Sequence, residues 1–138
     1  MVRSIGKVRL AVMLVAALGI TSTVIPSAPA FAHAELLVSS PAVGSTLYTA
    51  PSSVSLTFDD DLIDLPNGNQ ILVTDPKNMR VSIGVSILQG SRLSVQLKRI
   101  TLLGKYLVTY HAISNDGHPV TGQFPFYLKK KPVKKPKG

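Results

Sequence analysis

The chain contains three histidines, and two of them stand where a metal ion could use them. His118 lies in the run Ser114-Asn115-Asp116-Gly117-His118-Pro119. His33 directly follows Ala30-Phe31-Ala32, whose small residues fit the A-x-A rule for signal cleavage. Cleavage after Ala32 makes His33 an amino terminus. A terminal histidine carries two nitrogens on one residue, the α-amine and the ring Nδ1, which can close a chelate around a single ion. The α-amine ordinarily titrates at ~7.7 to 8.0, so a metal displaces little proton affinity from it at neutral pH. His118 adds an imidazole nitrogen, and Asp116, two residues away, offers an oxygen from the same side of an extended segment. Three nitrogens with one carboxylate oxygen suit tetragonal Cu(II), which also heads the affinity order among divalent first-row ions. Each half has a plainer reading as well. A histidine after a signal can be incidental, and Asp-Gly-His-Pro can be only a turn in which Asp caps and Gly takes a left-handed conformation.

The segment ahead of His33 has the parts of an export signal: a basic start with Arg3, Lys7 and Arg9, an apolar run from Leu10 to Ile20, and a polar, proline-containing stretch. The apolar run of 11 residues is well short of the ~20 that span a bilayer. Residues 1–32 are therefore expected to be a cleaved signal peptide. The mature protein would sit outside the cytoplasm, in a periplasmic space or at the cell surface.

Composition narrows the classes further. The 138 residues allow one domain, and 45% hydrophobic residues is too many for a disordered chain. The absence of cysteine excludes a disulfide scaffold, a zinc finger, an iron–sulfur centre and a thiol nucleophile. The formal net charge of +8 is unevenly spread: besides the three basic residues at the start, six lysines lie between Lys129 and Lys137. The body between them holds six basic residues against seven acidic ones, so it lacks the basic folded face of a nucleic-acid-binding domain.

Positioning His33 beside residue 118 falls to strands. From His33 on, apolar and polar residues alternate in short runs divided by turn residues, which is the pattern of strands with one buried face. The runs are Glu35 to Val38; Val54, Leu56 and Phe58; Ile71 to Thr74; Val81, Ile83 and Val85; Leu93, Val95 and Leu97; Tyr106, Val108 and Tyr110; and Phe124, Phe126 and Leu128. About seven strands over residues 33–128 predict an all-β fold, a single antiparallel, immunoglobulin-like Greek-key sandwich or barrel. Pro125 within the last run suggests an edge strand. Residues 129–138 are only Lys, Pro, Val and Gly and are expected to be a disordered tail.

The whole body resembles one family. His33-Ala34-Glu35-Leu36-Leu37-Val38-Ser39-Ser40-Pro41, Val54-Ser55-Leu56-Thr57-Phe58, the strand Tyr106 to Tyr110, and Ser114-Asn115-Asp116-Gly117-His118-Pro119-Val120-Thr121-Gly122 together resemble the CopC-type copper-resistance proteins. The resemblance implies a small exported β-sandwich that binds one Cu(II) through the amine and ring of His33, through His118 and through Asp116. It also implies a weaker oxygen ligand after the second strand, where Asp60 aligns in place of a usual Glu. Aspartate is one methylene shorter there. Some relatives hold Cu(I) at a methionine-rich site, but the methionines here are Met1 and Met13 in the signal and the single Met79. One thioether cannot make a soft-ligand cage. His111 has the opposite alternation to Tyr106, Val108 and Tyr110, so it projects from the other face and is not expected to ligate.

The expected function is non-enzymatic: a monomer that sequesters or carries copper and passes it to a membrane transporter, with the lysine tail in electrostatic contact with a membrane or cell wall. Two alternatives stand beside it. One is an oxidative enzyme of the histidine-brace type, which the Asp116 carboxylate would disfavour by stabilising Cu(II) and filling a coordination position. The other is an adhesive or structural sandwich without metal. Hydrolytic chemistry has no foothold, because no serine has the setting of a nucleophile and the Asp59 to Asp64 cluster lies on one loop.

Overall fold

The computed structural model describes residues 33–138. The expected signal peptide, residues 1–32, lies outside the described residues. Eight strands form: β1 (Leu36–Ser40), β2 (Thr46–Leu47), β3 (Ser53–Phe58), β4 (Gln70–Thr74), β5 (Ser82–Gln89), β6 (Arg92–Leu97), β7 (Gly104–Ile113) and β8 (Pro119–Leu128). They make two four-stranded sheets with the orders β1-β3-β6-β5 and β2-β8-β7-β4. The all-β sandwich expected from the alternation is the observed architecture.

Period-two alternation sets the core. β3 buries Val54, Leu56 and Phe58, β6 buries Leu93, Val95 and Leu97, and these meet Tyr106, Val108, Phe124 and Phe126 of the facing sheet in one cluster. Tyr106 stacks on Phe126 with ring centroids 5.1 Å apart, and its buried hydroxyl donates to the Leu102 carbonyl at 2.7 Å. Burial of that phenol raises its pKa above the ordinary tyrosine value.

Two details differ from the sequence reading. The eighth strand, β2, has only two residues, too few to show a period, and it pairs parallel with β8 through Thr46↔Tyr127 and Leu47↔Leu128. β8 is therefore covered at its carboxyl end, and Pro125 sits where that cover begins, its carbonyl accepting from Gly44 N at 2.7 Å. The second difference is in β5. Val81 is buried, but Ile83 is 48% and Val85 83% exposed. Gly84, at φ 69°, breaks the pleat, and the register with β6 shifts between Ile83 and Ile87. The bulge turns apolar residues outward on an edge strand.

The registers also fix which loops share an end. Leu36 pairs with Phe58, Thr57 with Arg92, and Ile113 with Pro119. The start of β1, the β3–β4 connection, the Gly90-Ser91 turn and the β7–β8 turn thus gather at one end of the sandwich. The β4–β5 and β6–β7 connections and the tail lie at the other. Residues 129–138 carry no regular element, and all are exposed.

Tyr110 faces Gly122 across the β7–β8 ladder, and its ring lies over the glycine. A Cβ added at Gly122 would stand 2.8 Å from the ring Cε1 and nearer still to Cζ and the hydroxyl. Gly122→Ala should therefore cost about 1–3 kcal/mol through displacement of Tyr110. Chemical denaturation would show this as a lowered midpoint with an unchanged slope.

Candidate metal centre

His33 is held by its neighbours. Ala34 is buried in the core cluster, which anchors the chain one residue after His33. The Glu35 amide donates to Asp59 Oδ1 at 2.6 Å, and the Asp59 amide donates to the Glu35 carbonyl at 2.9 Å. This reciprocal pair ties the start of β1 to the residue that follows β3.

The β7–β8 turn supplies the other donors. The Ser114 amide donates to the His118 carbonyl at 2.9 Å, and the Gly117 amide donates to the Ser114 carbonyl at 2.8 Å, with Gly117 at φ 85°. The Ser114 side chain is fully buried. Its hydroxyl donates to Asp116 Oδ1 and lies 3.0 Å from the His118 carbonyl oxygen, while the His118 amide donates to the same Oδ1 at 3.1 Å. One carboxylate oxygen is thus fully engaged.

The other oxygen faces both imidazoles. Asp116 Oδ2 is 3.1 Å from His33 Nδ1 and 3.0 Å from His118 Nδ1. The two rings meet edge to face with centroids 4.7 Å apart. Among the described residues, His33, Asp116 and His118 form a group whose ligand atoms all lie within 4.8 Å of one another. Two donors at ~2.1 Å from one ion and at right angles stand ~3.0 Å apart, so the observed spacings suit adjacent positions around a small divalent ion.

Asp116 is held well below the usual carboxylate range. The Ser114 hydroxyl contributes most, partial burial works against it, and the His118 amide, its ring and its charge add to the lowering. The carboxylate therefore stays ionised, as a ligand must.

The remaining candidates lie elsewhere. Asp60 is exposed, and its Oδ1 accepts from the Asp61 amide at 2.8 Å. It does not belong to the three-residue group. His111 Nδ1 meets the Gly68 carbonyl at 2.7 Å, which ties β7 to the β3–β4 connection. Met79 is exposed in the β4–β5 connection, at the opposite end. Three supporting residues had escaped the sequence reading. They are Asp59, Ser114 and Asn69, whose side chain donates to the Ile63 carbonyl at 2.7 Å and accepts from the Ile113 amide at 2.9 Å. Ser114-x-Asp116 carries a serine–aspartate turn signal; the partners of Asp59 and Asn69 are too distant in sequence to leave one.

The model of the CopC domain matches residues 36–129. The chain belongs to the CopC domain family. Copper resistance protein C of Xanthomonas campestris pv. juglandis is 31% identical over 109 residues, covering 75% of this chain and 85% of that protein. Copper transport protein CutJ of Bacillus subtilis (strain 168) is 31% identical over 103 residues, and this CopC chain spans only 19% of its length. Among solved structures, PcoC, a methionine-rich copper resistance protein from Escherichia coli, superposes with a TM-score of 0.59 at 25% identity, covering 70% of this chain and 99% of that one. The family consists of copper-binding resistance proteins, not enzymes. This CopC domain departs from a methionine-rich relative in having three methionines in all.

Removing the Ser114 hydroxyl should release Asp116 toward an ordinary carboxylate. A depressed folded-state pKa contributes stability above the unfolded value of ~3.9 that is lost as pH falls through the lower folded value. Ser114→Ala should raise the Asp116 midpoint in the metal-free protein and so shrink this loss, which is then complete at a higher pH. Side-chain carboxyl NMR titration of both forms would read it directly, and an unshifted midpoint would show that the serine does not hold the carboxylate.

Proposed function

We propose that this CopC-domain protein is an exported copper carrier that holds one Cu(II) at the end of the sandwich. Cleavage after Ala32 gives His33 a free α-amine. The amine and Nδ1 of His33, Asp116 Oδ2 and His118 Nδ1 then supply three nitrogens and one oxygen. The observation that carries the reading is the convergence of both imidazoles on Oδ2 at 3.0 and 3.1 Å, with Oδ1 already occupied. A carboxylate limited to one oxygen suits a tetragonal ion better than one that prefers two-oxygen chelation.

Copper is cargo here. The His33 and His118 side chains are 44% and 64% exposed, so an incoming ligand can reach the ion before the resident donors leave. That favours transfer to a membrane copper transporter, and the similarity to part of a longer copper transport protein supports such a partner. Asp60, on the same loop as Asp59, adds negative charge at the same end of the sandwich. The protein works as a monomer, sequestering copper for resistance. Its lysine tail provides electrostatic contact with the cell surface.

The deciding experiment locates the amino terminus of the exported protein by mass spectrometry and titrates that species with Cu(II) under electron paramagnetic resonance. A terminus at His33 with one tetragonal, nitrogen-rich site is the expected result. His118→Ala, and separately one extra residue before His33, should each weaken binding by more than tenfold, about 1.4 kcal/mol. Equal binding by the extended form would defeat the amine chelate.

A further inference from the structure

The registers place the charges of the described chain at opposite ends. Glu35, Asp59, Asp60, Asp61, Asp64 and Asp116 all lie at the end that carries the proposed copper site, and Arg92 is the one fixed cation there among the described residues. At the other end stand Lys77, Arg80, Lys98, Arg99 and Lys105, followed by the six tail lysines, with Asp75 the one acidic side chain among the described residues. The body is nearly neutral in sum, so this separation is invisible in its composition. It arises because separate segments deliver like charges to each end: the start of β1, the β3–β4 connection and the β7–β8 turn to one, and the β4–β5 connection, the β6–β7 connection and the tail to the other.

The anionic end is held in place by hydrogen bonds. Asp59 bonds to Glu35, Asp60 to the Asp61 amide, and Asp116 to Ser114. The cationic end has loop cations around the root of the tail: Lys105 on β7 pairs in register with Tyr127, two residues before Lys129. A flat, negatively charged surface can engage those loops and the tail together. A flexible polymer needs only the tail. β7 has ten residues, and at ~3.3 Å each the two ends stand roughly 30 Å apart, about three Debye lengths at 0.1 M salt. One end can then bind such a surface while the other feels little of it.

We propose that the basic end docks on an anionic lipid bilayer and that this docking orients the molecule, with the acidic end pointing away from the membrane. The proposal rests on the copper reading only for what is presented outward. The docking itself is read without metal. An outward acidic end concentrates cations from the surrounding solution at its mouth and leaves the site open to a partner that rises above the bilayer. Lysines near an anionic leaflet each contribute about fivefold in affinity.

The test uses the processed, metal-free protein with vesicles of phosphatidylcholine alone or mixed with phosphatidylglycerol. The chain has no cysteine, so Thr101→Cys in the β6–β7 connection and Gln89→Cys at the end of β5 each take a single fluorescent label. Binding should occur on the mixed vesicles only and should fall steeply as salt rises from about 0.05 to about 0.5 M. Headgroup-quencher lipids should dim the label at 101 and spare the label at 89. A variant with Lys77, Lys98, Arg99 and Lys105 all changed to Gln and the tail intact should bind about tenfold more weakly or worse. Absence of binding at low salt would overturn the proposal. So would equal quenching at both positions, full affinity in the four-residue variant, or tighter binding to a soluble anionic polymer than to the vesicles. Failure of the copper titration would leave these readouts unchanged, which keeps the two ideas separable.

Discussion

Candidate donors 83 residues apart in the chain are held within hydrogen-bond distance of each other by the fold alone. A flexible chain could bring His33 to Asp116 only at the entropic cost of closing that loop. Here folding has already met the cost. β1 pairs with β3, the reciprocal bonds between Glu35 and Asp59 fix the strand's first residues, and buried Ala34 prevents them from peeling away. The β7–β8 hairpin, ten paired residues long, brings Asp116 and His118 to the same end. The remaining freedom is that of side chains.

Ser114 links the core to the site. Its hydroxyl is fully buried and must find an acceptor, and its neighbours are Asp116 Oδ1 and the His118 carbonyl. Satisfying a buried polar atom therefore orients a partly exposed carboxylate. The orientation leaves Oδ2 facing both imidazoles and keeps the acid ionised, so one hydrogen bond sets the geometry and charge of the candidate ligand. The packing requirement of a serine has become a property of the site.

Much of this was legible from residue order. Alternation at Val54-Leu56-Phe58, Leu93-Val95-Leu97 and Phe124-Phe126-Leu128 is a local consequence of the pleat, so the strands and the core they bury could be read directly. His33, Asp116 and His118 could be singled out as candidates because chemistry restricts which residue types can serve, and the fold brings the three together. Other features depended on partners far along the chain. Asp59 acts through an amide 24 residues away and Asn69 through one 44 residues away, and neither leaves a local pattern. β2 exists only because β8 offers it a ladder. The bulge in β5 answers to its β6 partner, and Gly84 alone could not announce that Ile83 and Val85 would turn outward.

The separation of core from site explains how such a domain can present exposed candidate ligands without loss of stability. The buried side chains lie mainly within the strands, whereas His33, Asp116 and His118 project from the segment before β1 and from the β7–β8 turn. Changing a candidate donor removes little buried apolar area, so folding and the proposed metal binding draw on different residues. Ser114 and Asp59 are the exceptions, since each is bonded into the scaffold and also sets a donor's position. The proposed carrier must hold its ion firmly and still release it. Rigid backbone support beneath accessible imidazoles serves both needs: the support narrows the geometries available to the bound ion, and the exposure gives a competing ligand a place to begin its approach.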